Sequence, residues 1–275
     1  MGFYKELQFV CILLTGVVSL VVNAREEQPV TNYVYANYLG SGYYAVEDQE
    51  VAILTIPFSR ERDSGGRYAS RWRLPVSLGS YSFKLNAEDL GDVDLPSDVS
   101  TLTFVPGIEW IIPLGEQWHL EPYVDLGIGT NFSTYEEVLI YSTGISSFYQ
   151  FGDRDQYEWV NRIFYAGDYS FSTKQTTNFA TLQSGLDWRL PGNRVRGEHR
   201  YFATVYTMVF WHFNKVELAS GALSAVTLRN SFEVGFTLGR ERDAKKKWFN
   251  IERLGFGYRF GDGLESWRIF FSTPI

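Results

Sequence analysis

The sequence predicts an all-β protein, a transmembrane antiparallel up-and-down β-barrel, and three observations carry that expectation. Apolar residues recur with period 2 over segments near the roughly 9 to 11 residues that a tilted membrane strand needs. The alternate positions hold glycines and charges, as the inside of a narrow barrel requires, where space is short and charges can pair. Aromatic residues make up 17% of the chain, with 18 Tyr, 21 Phe and 8 Trp beside 25 Gly. Such residues suit strands that bend closely and carry large side chains on one face.

Composition narrows the alternatives. A chain of 275 residues with 45% hydrophobic residues has ample material for a folded domain, so a fibrous or disordered reading is excluded. The net charge of −7, with no basic run longer than Lys245-Lys246-Lys247, argues against nucleic acid as a partner. No stretch after residue 24 approaches about 18 consecutive apolar residues, so helical spans are not expected there.

Residues 1–24 read as a signal peptide. Lys5 precedes an uncharged run from Leu7 to Val22, and Val22-Asn23-Ala24 supplies the small-residue pattern of a cleavage site. Gln8, Thr15, Gly16 and Ser19 interrupt that run and make a retained anchor a poorer fit. The only cysteine, Cys11, falls in the removed segment. The exported domain, 25–275, then has no disulfide to draw on, and a closed hydrogen-bonded sheet is the natural source of its stability.

Twelve strands are expected, near residues 34–44, 51–60, 67–82, 101–114, 118–131, 138–151, 157–170, 177–190, 199–213, 228–240, 250–260 and 265–275, with ten strands as the second choice. An even count suits a single-chain bacterial barrel. In the fifth, Trp118, Leu120, Pro122, Val124, Leu126 and Ile128 share one face, while Glu121, Tyr123, Asp125, Gly127 and Gly129 share the other. The fourth repeats this with Leu102, Phe104, Pro106, Ile108 and Trp110 against Thr103, Val105, Gly107 and Glu109. Phe232, Val234, Phe236 and Leu238 alternate with Glu233, Gly235, Thr237 and Gly239, and Leu254, Phe256, Tyr258 and Phe260 with Arg253, Gly255, Gly257 and Arg259. A soluble sandwich would instead carry its charged face outward.

With both ends periplasmic, Gly115-Glu116-Gln117 is a periplasmic turn, and 83–100 and 214–227 are external loops. Two connections fit less well, the short external 261–264 and the long basic 241–249. The segment Tyr33 to Tyr44, rich in Gly and Tyr, is also compatible with entry into the lumen. Trp267, Ile269, Phe271, Thr273 and Ile275 alternate to the chain end. That pattern resembles the C-terminal signal by which outer-membrane barrels are recognised for assembly, with Ile275 in place of the usual Phe.

Several segments in order resemble the solitary outer-membrane autotransporter β-domains. They are Leu39-Gly40-Ser41-Gly42-Tyr43-Tyr44-Ala45, Ile56-Pro57-Phe58-Ser59, Arg73-Leu74-Pro75-Val76-Ser77-Leu78-Gly79, Val105-Pro106-Gly107-Ile108-Glu109, Leu120 to Gly129, Gly185-Leu186-Asp187-Trp188-Arg189 and Leu254 to Gly263. The resemblance implies a twelve-stranded translocator-type barrel in the outer membrane without the large secreted passenger. It transfers an architecture and a location, and no transport activity or functional residue.

The alternation assigns ten charged residues to the lumen: Arg73, Glu109, Glu121, Asp125, Asp187, Arg189, Glu233, Arg253, Arg259 and Arg268. Balanced charge in a narrow barrel points to an interior closed by ion pairs, and hence to a structural or interaction role. A small diffusion pore, which usually needs water and an uneven charge distribution to select ions, is the alternative. A lipid- or peptide-hydrolysing enzyme is the third reading. His119 and His199 fall at periplasmic strand ends and His212 alone near an outer end, with Ser82 or Glu47 as its nearest conceivable partners.

No cofactor or metal is expected. The histidines are not clustered, and the acidic stretch Glu88, Asp89, Asp92, Asp94 and Asp98 lacks the spacing of a calcium loop. Glu241 to Lys247 reads as a solvated turn. Trp72, Trp110, Trp118, Trp188, Trp248 and Trp267 read as interface-girdle residues. The expected partners are outer-membrane lipid, lipopolysaccharide and the barrel-assembly machinery, and the expected state is a monomer.

Overall fold

A computed structural model describes residues 38, 40–46, 49–63, 68–81, 101–132, 135–192, 194–196, 199–218, 226–240, 253–261 and 264–271. Nearly every alternating run among them is a strand: β1 (Gly42–Val46), β2 (Gln49–Asp63), β3 (Ala69–Tyr81), β4 (Thr101–Phe104), β5 (Gly107–Pro113), β6 (Trp118–Asn131) and β7 (Glu136–Phe151). The series continues with β8 (Tyr157–Ser170), β9 (Thr176–Arg189), β10 (Arg194–Arg196), β11 (His199–Leu218), β12 (Val226–Arg240), β13 (Arg253–Gly261) and β14 (Leu264–Phe270).

All pairings are antiparallel, and β1 pairs with both β2 and β14, which closes the sheet into a barrel. Of the fourteen segments, β4 and β5 are two halves of one wall strand and β10 is a short flap on β11, which leaves twelve strands in the wall. The break between β4 and β5 has a local cause. Pro106 has no N–H to give to a ladder. The register runs on undisturbed across it, from Phe104↔Ile128 to Gly107↔Asp125, and the Pro106 carbonyl still accepts from the Leu126 amide at 2.9 Å.

Polarity is inverted relative to a water-soluble domain. Leu126, Ile128, Leu238 and Phe236 point away from the barrel at 57%, 62%, 58% and 49% exposure, whereas Glu233 and Asp168 point inward at 0%. The apolar surface thus lies outside and the ionisable groups inside.

Strand boundaries agree with the sequence expectation at 118–131 and 157–170 and differ most at the two ends of the chain. The first strand was expected at 34–44, but β1 spans only Gly42–Val46. Gly40 adopts φ +80, a left-handed conformation open to glycine at little cost, and there the chain turns from the lumen into the wall. Residues 34–37 and 39 lie outside the described residues. The last strand was expected to reach 275, but β14 ends at Phe270, so Phe271 follows it, and 272–275 lie outside the description. Also outside are Glu47, Ser82, the acidic stretch 88–98, the connection 241–249 and Trp248.

Candidate functional site

The lumen is the one enclosed, chemically diverse region that the described strands build. Because strands tilt in a barrel, register partners form rows that climb around the wall. One row runs Glu61, Arg71, Glu109, Tyr123, Gly144, Phe164, Thr181 and His212, from β2 to β11. Another runs Asp187, Tyr206, Gly235, Gly257 and Arg268, from β9 to β14.

In the first row Arg71 gathers three carboxylates, Glu109 at 2.8 Å, Glu61 at 3.2 Å and Glu121 at 3.5 Å. His119 lies 3.5 Å from Glu121 and stacks on Phe148. Arg73 lies 3.8 Å from Glu109 and 3.6 Å from Asp125, with its guanidinium 4.3 Å from the centre of the Tyr123 ring. Arg162 donates to Ser146, its register partner on the adjacent strand β7, at 2.9 Å.

The second row is organised around Glu233. One oxygen accepts from Tyr206 at 2.7 Å, and the other accepts from Arg268 at 2.6 Å. Tyr206 reaches that carboxylate only because Gly235 and Gly257 present no side chain: a Cβ at either would collide with its hydroxyl. Arg253 donates to Asp187, and Phe202 lies between the guanidiniums of Arg189 and Arg253 at 4.3 and 5.2 Å. Arg259 donates to Ser231 at 2.8 Å and covers Phe210 at 3.7 Å.

His212 is not alone. Its Nδ1 is 2.7 Å from the Thr181 hydroxyl and its Nε2 is 3.4 Å from Arg259, so both ring nitrogens are engaged inside the lumen. A guanidinium can only donate, so the contact at Nε2 places the ring proton on Nδ1.

The lumen also carries apolar and aromatic groups, among them Ile140, Phe164, Phe179, Met208 and Phe210. Tyr38, ahead of β1, lies among them. Its hydroxyl donates to Asp125 at 3.1 Å and is bonded to Ser142, and its ring packs on Phe164 at 5.2 Å. The chain before the wall therefore occupies the lumen at this point.

All ten charges that the alternation assigns inward are therefore placed in one of these two groups. Reading by alternation passed over Arg71, Glu61, Arg162, Asp168, Thr181 and Tyr38. Arg71 and Glu61 carried a usable signal, since each is two residues from an inward position. Tyr38 lies in the Gly- and Tyr-rich segment Tyr33 to Tyr44, which the sequence leaves open between a first strand and entry into the lumen. On the outside, Trp72, Trp110, Trp118, Trp159 and Trp188 ring one rim, and Trp211 and Trp267 lie toward the other. Trp159 and Trp211 join the set expected from the sequence.

No protein-family profile and no curated protein matches this chain. Among solved structures it is similar to the β-domain of the Bordetella autotransporter BrkA, at 11% identity and a TM-score of 0.47, over 82% of this chain and 92% of that one. It is also similar to the transport unit of the autotransporter AIDA-I from Escherichia coli, at 9% identity and a TM-score of 0.26, over 96% and 97% of the two chains. The fold stands on the closed strand register and needs neither superposition.

Proposed function

We propose that the chain is an integral outer-membrane barrel, exported through a cleaved signal peptide at 1–24, with a closed, ion-paired lumen and a structural or interaction role. The observation that supports it most directly is the inverted polarity: an outer wall of exposed aromatic and aliphatic side chains around buried Arg–carboxylate pairs. A closed barrel satisfies every wall hydrogen bond internally, which is the condition for crossing hydrocarbon. Tyr38, bonded to Asp125 and Ser142, closes the lumen further.

Lipid and lipopolysaccharide then cover the outer wall. The alternation Trp267, Ile269, Phe271 and Ile275 is what the assembly machinery would engage during insertion. The test is single-channel recording of the refolded 25–275 chain in planar bilayers, with heat-modifiable gel mobility to show a closed barrel. A folded barrel without conductance is the expected result. Stable steps that change on Glu109→Gln would overturn the closed lumen in favour of a small diffusion pore.

A further inference from the structure

We propose that the outward face of β7–β9 is a contact surface for a second copy of this chain, side by side in the same bilayer. The proposal rests on the membrane reading above and adds the partner to it. Ser147, Asn161 and Ser184 are register partners on three adjacent strands and form one outward row. They are hydrogen-bonded along the wall: the Trp118 indole donates to Ser147 at 2.9 Å, the Trp159 indole to Ser184 at 3.1 Å, and Ser184 to Asn161 Oδ1 at 2.8 Å. The Asn161 amide nitrogen makes no hydrogen bond among the described residues.

This row is not at the water boundary. Toward the near rim it is followed by two rows rich in rings, Tyr149 with Trp159 and then Phe151, Tyr157 and Trp188. Toward the centre it is followed by Ile145, Ile163 and Leu182. An amide and two hydroxyls thus sit on the hydrocarbon side of the aromatic ring. Farther along the same face come Thr143, Tyr165 and Asn178. The outward faces of β12 and β13 at like positions hold only Phe, Val, Leu and Tyr, from Phe232 to Leu238 and from Leu254 to Phe260.

Polar groups in hydrocarbon favour a protein neighbour that can pair with them. A second copy fits for a geometric reason. Every copy is inserted with the same orientation and depth, so a two-fold axis along the membrane normal sets each row opposite its own equivalent. Asn161 would then face the same residue of the partner, and a carboxamide is both donor and acceptor, hence complementary to itself. A lipid chain has no such complement.

The experiment is disulfide trapping of full-length Asn161→Cys, in a Cys11→Ser background, assembled in a bacterial outer membrane where orientation is uniform. A species of twice the mass is expected on mild oxidation, and none from Val234→Cys on β12, three strands farther round the wall from β8. Single-molecule photobleaching of Asn161→Leu in membranes is expected to show dimer association weakened roughly tenfold relative to the parent. Equal trapping at both positions, or single bleaching steps for the parent at every density, overturns the proposal. Loss of heat-modifiable mobility or of membrane incorporation in the parent overturns the membrane reading instead, and the second copy with it.

Discussion

Glu233 is fully buried, and its two oxygens are held by Tyr206 and by Arg268. Removing the carboxylate leaves the Arg268 charge buried beside an apolar cluster that includes Phe210 and Phe270. Breaking one partner of such a pair costs roughly 3 to 5 kcal/mol, far more than the pair itself contributes. Glu233→Ala should therefore lower the urea midpoint of the refolded barrel sharply, while Tyr206→Phe should cost only about 1 kcal/mol. Near-equal midpoints for the two variants would show that Arg268 finds water or another partner. Gly257→Ala tests the same contact sterically, because the added methyl meets both Tyr206 and Glu233, at a cost of roughly 1 to 3 kcal/mol. Each of these residues has an inward parity readable from the sequence. Their meeting has none, since Glu233 and Arg268 lie on strands that touch only through β13.

The closing strand of the barrel is its shortest full wall element. β1 has 5 residues and β2 has 15, so β2 runs on past the point where β1 begins. The rung just beyond is made by a side chain. Ser41 Oγ accepts from the Thr55 amide at 2.7 Å and donates to the Thr55 carbonyl at 3.0 Å, and Ser41 O accepts from the Ile269 amide at 3.2 Å. Two positions farther along β2 comes Pro57, which has no N–H to leave unpaired. Ser41→Ala should speed hydrogen exchange at the Thr55 amide and lower stability by about 1 kcal/mol. Unchanged exchange at Thr55 would mean that the backbone finds another partner. The sequence places Gly40 and Ser41 inside an expected strand at 34–44, and it does not reveal that a hydroxyl substitutes for a ladder strand.

For the molecule as a whole, the proposed closure of the lumen rests on two distinct devices, Arg–carboxylate pairs in the wall and Tyr38 from the chain ahead of it. Their separate effects can be read electrically. Tyr38→Ala removes the phenol bonded to Asp125 and the ring against Phe164, and the refolded variant is expected to show brief conductance steps that the parent lacks. Silence in this variant would assign closure to the wall pairs alone. The side-by-side contact proposed for β7–β9 acts at the same scale, and it differs from the monomer expected from the sequence.

Period-2 alternation by itself pointed to an all-β barrel, with twelve strands ahead of ten, and to the parity of residues within each run, because a strand puts successive side chains on opposite faces whatever its neighbours are. Trp118–Asn131 and Tyr157–Ser170 could be bounded from the sequence for that reason. Only the tertiary structure decided who meets whom. The grouping of Arg71 with Glu61, Glu109 and Glu121, the Thr181–His212–Arg259 contact and the reach of Tyr206 across two glycines follow from strand order, tilt and closure. So does the place of Tyr38, which no alternation marks. Those properties belong to the sheet as a closed object: a register shared by twelve strands brings residues far apart in the chain into one row, and no single strand contains that information.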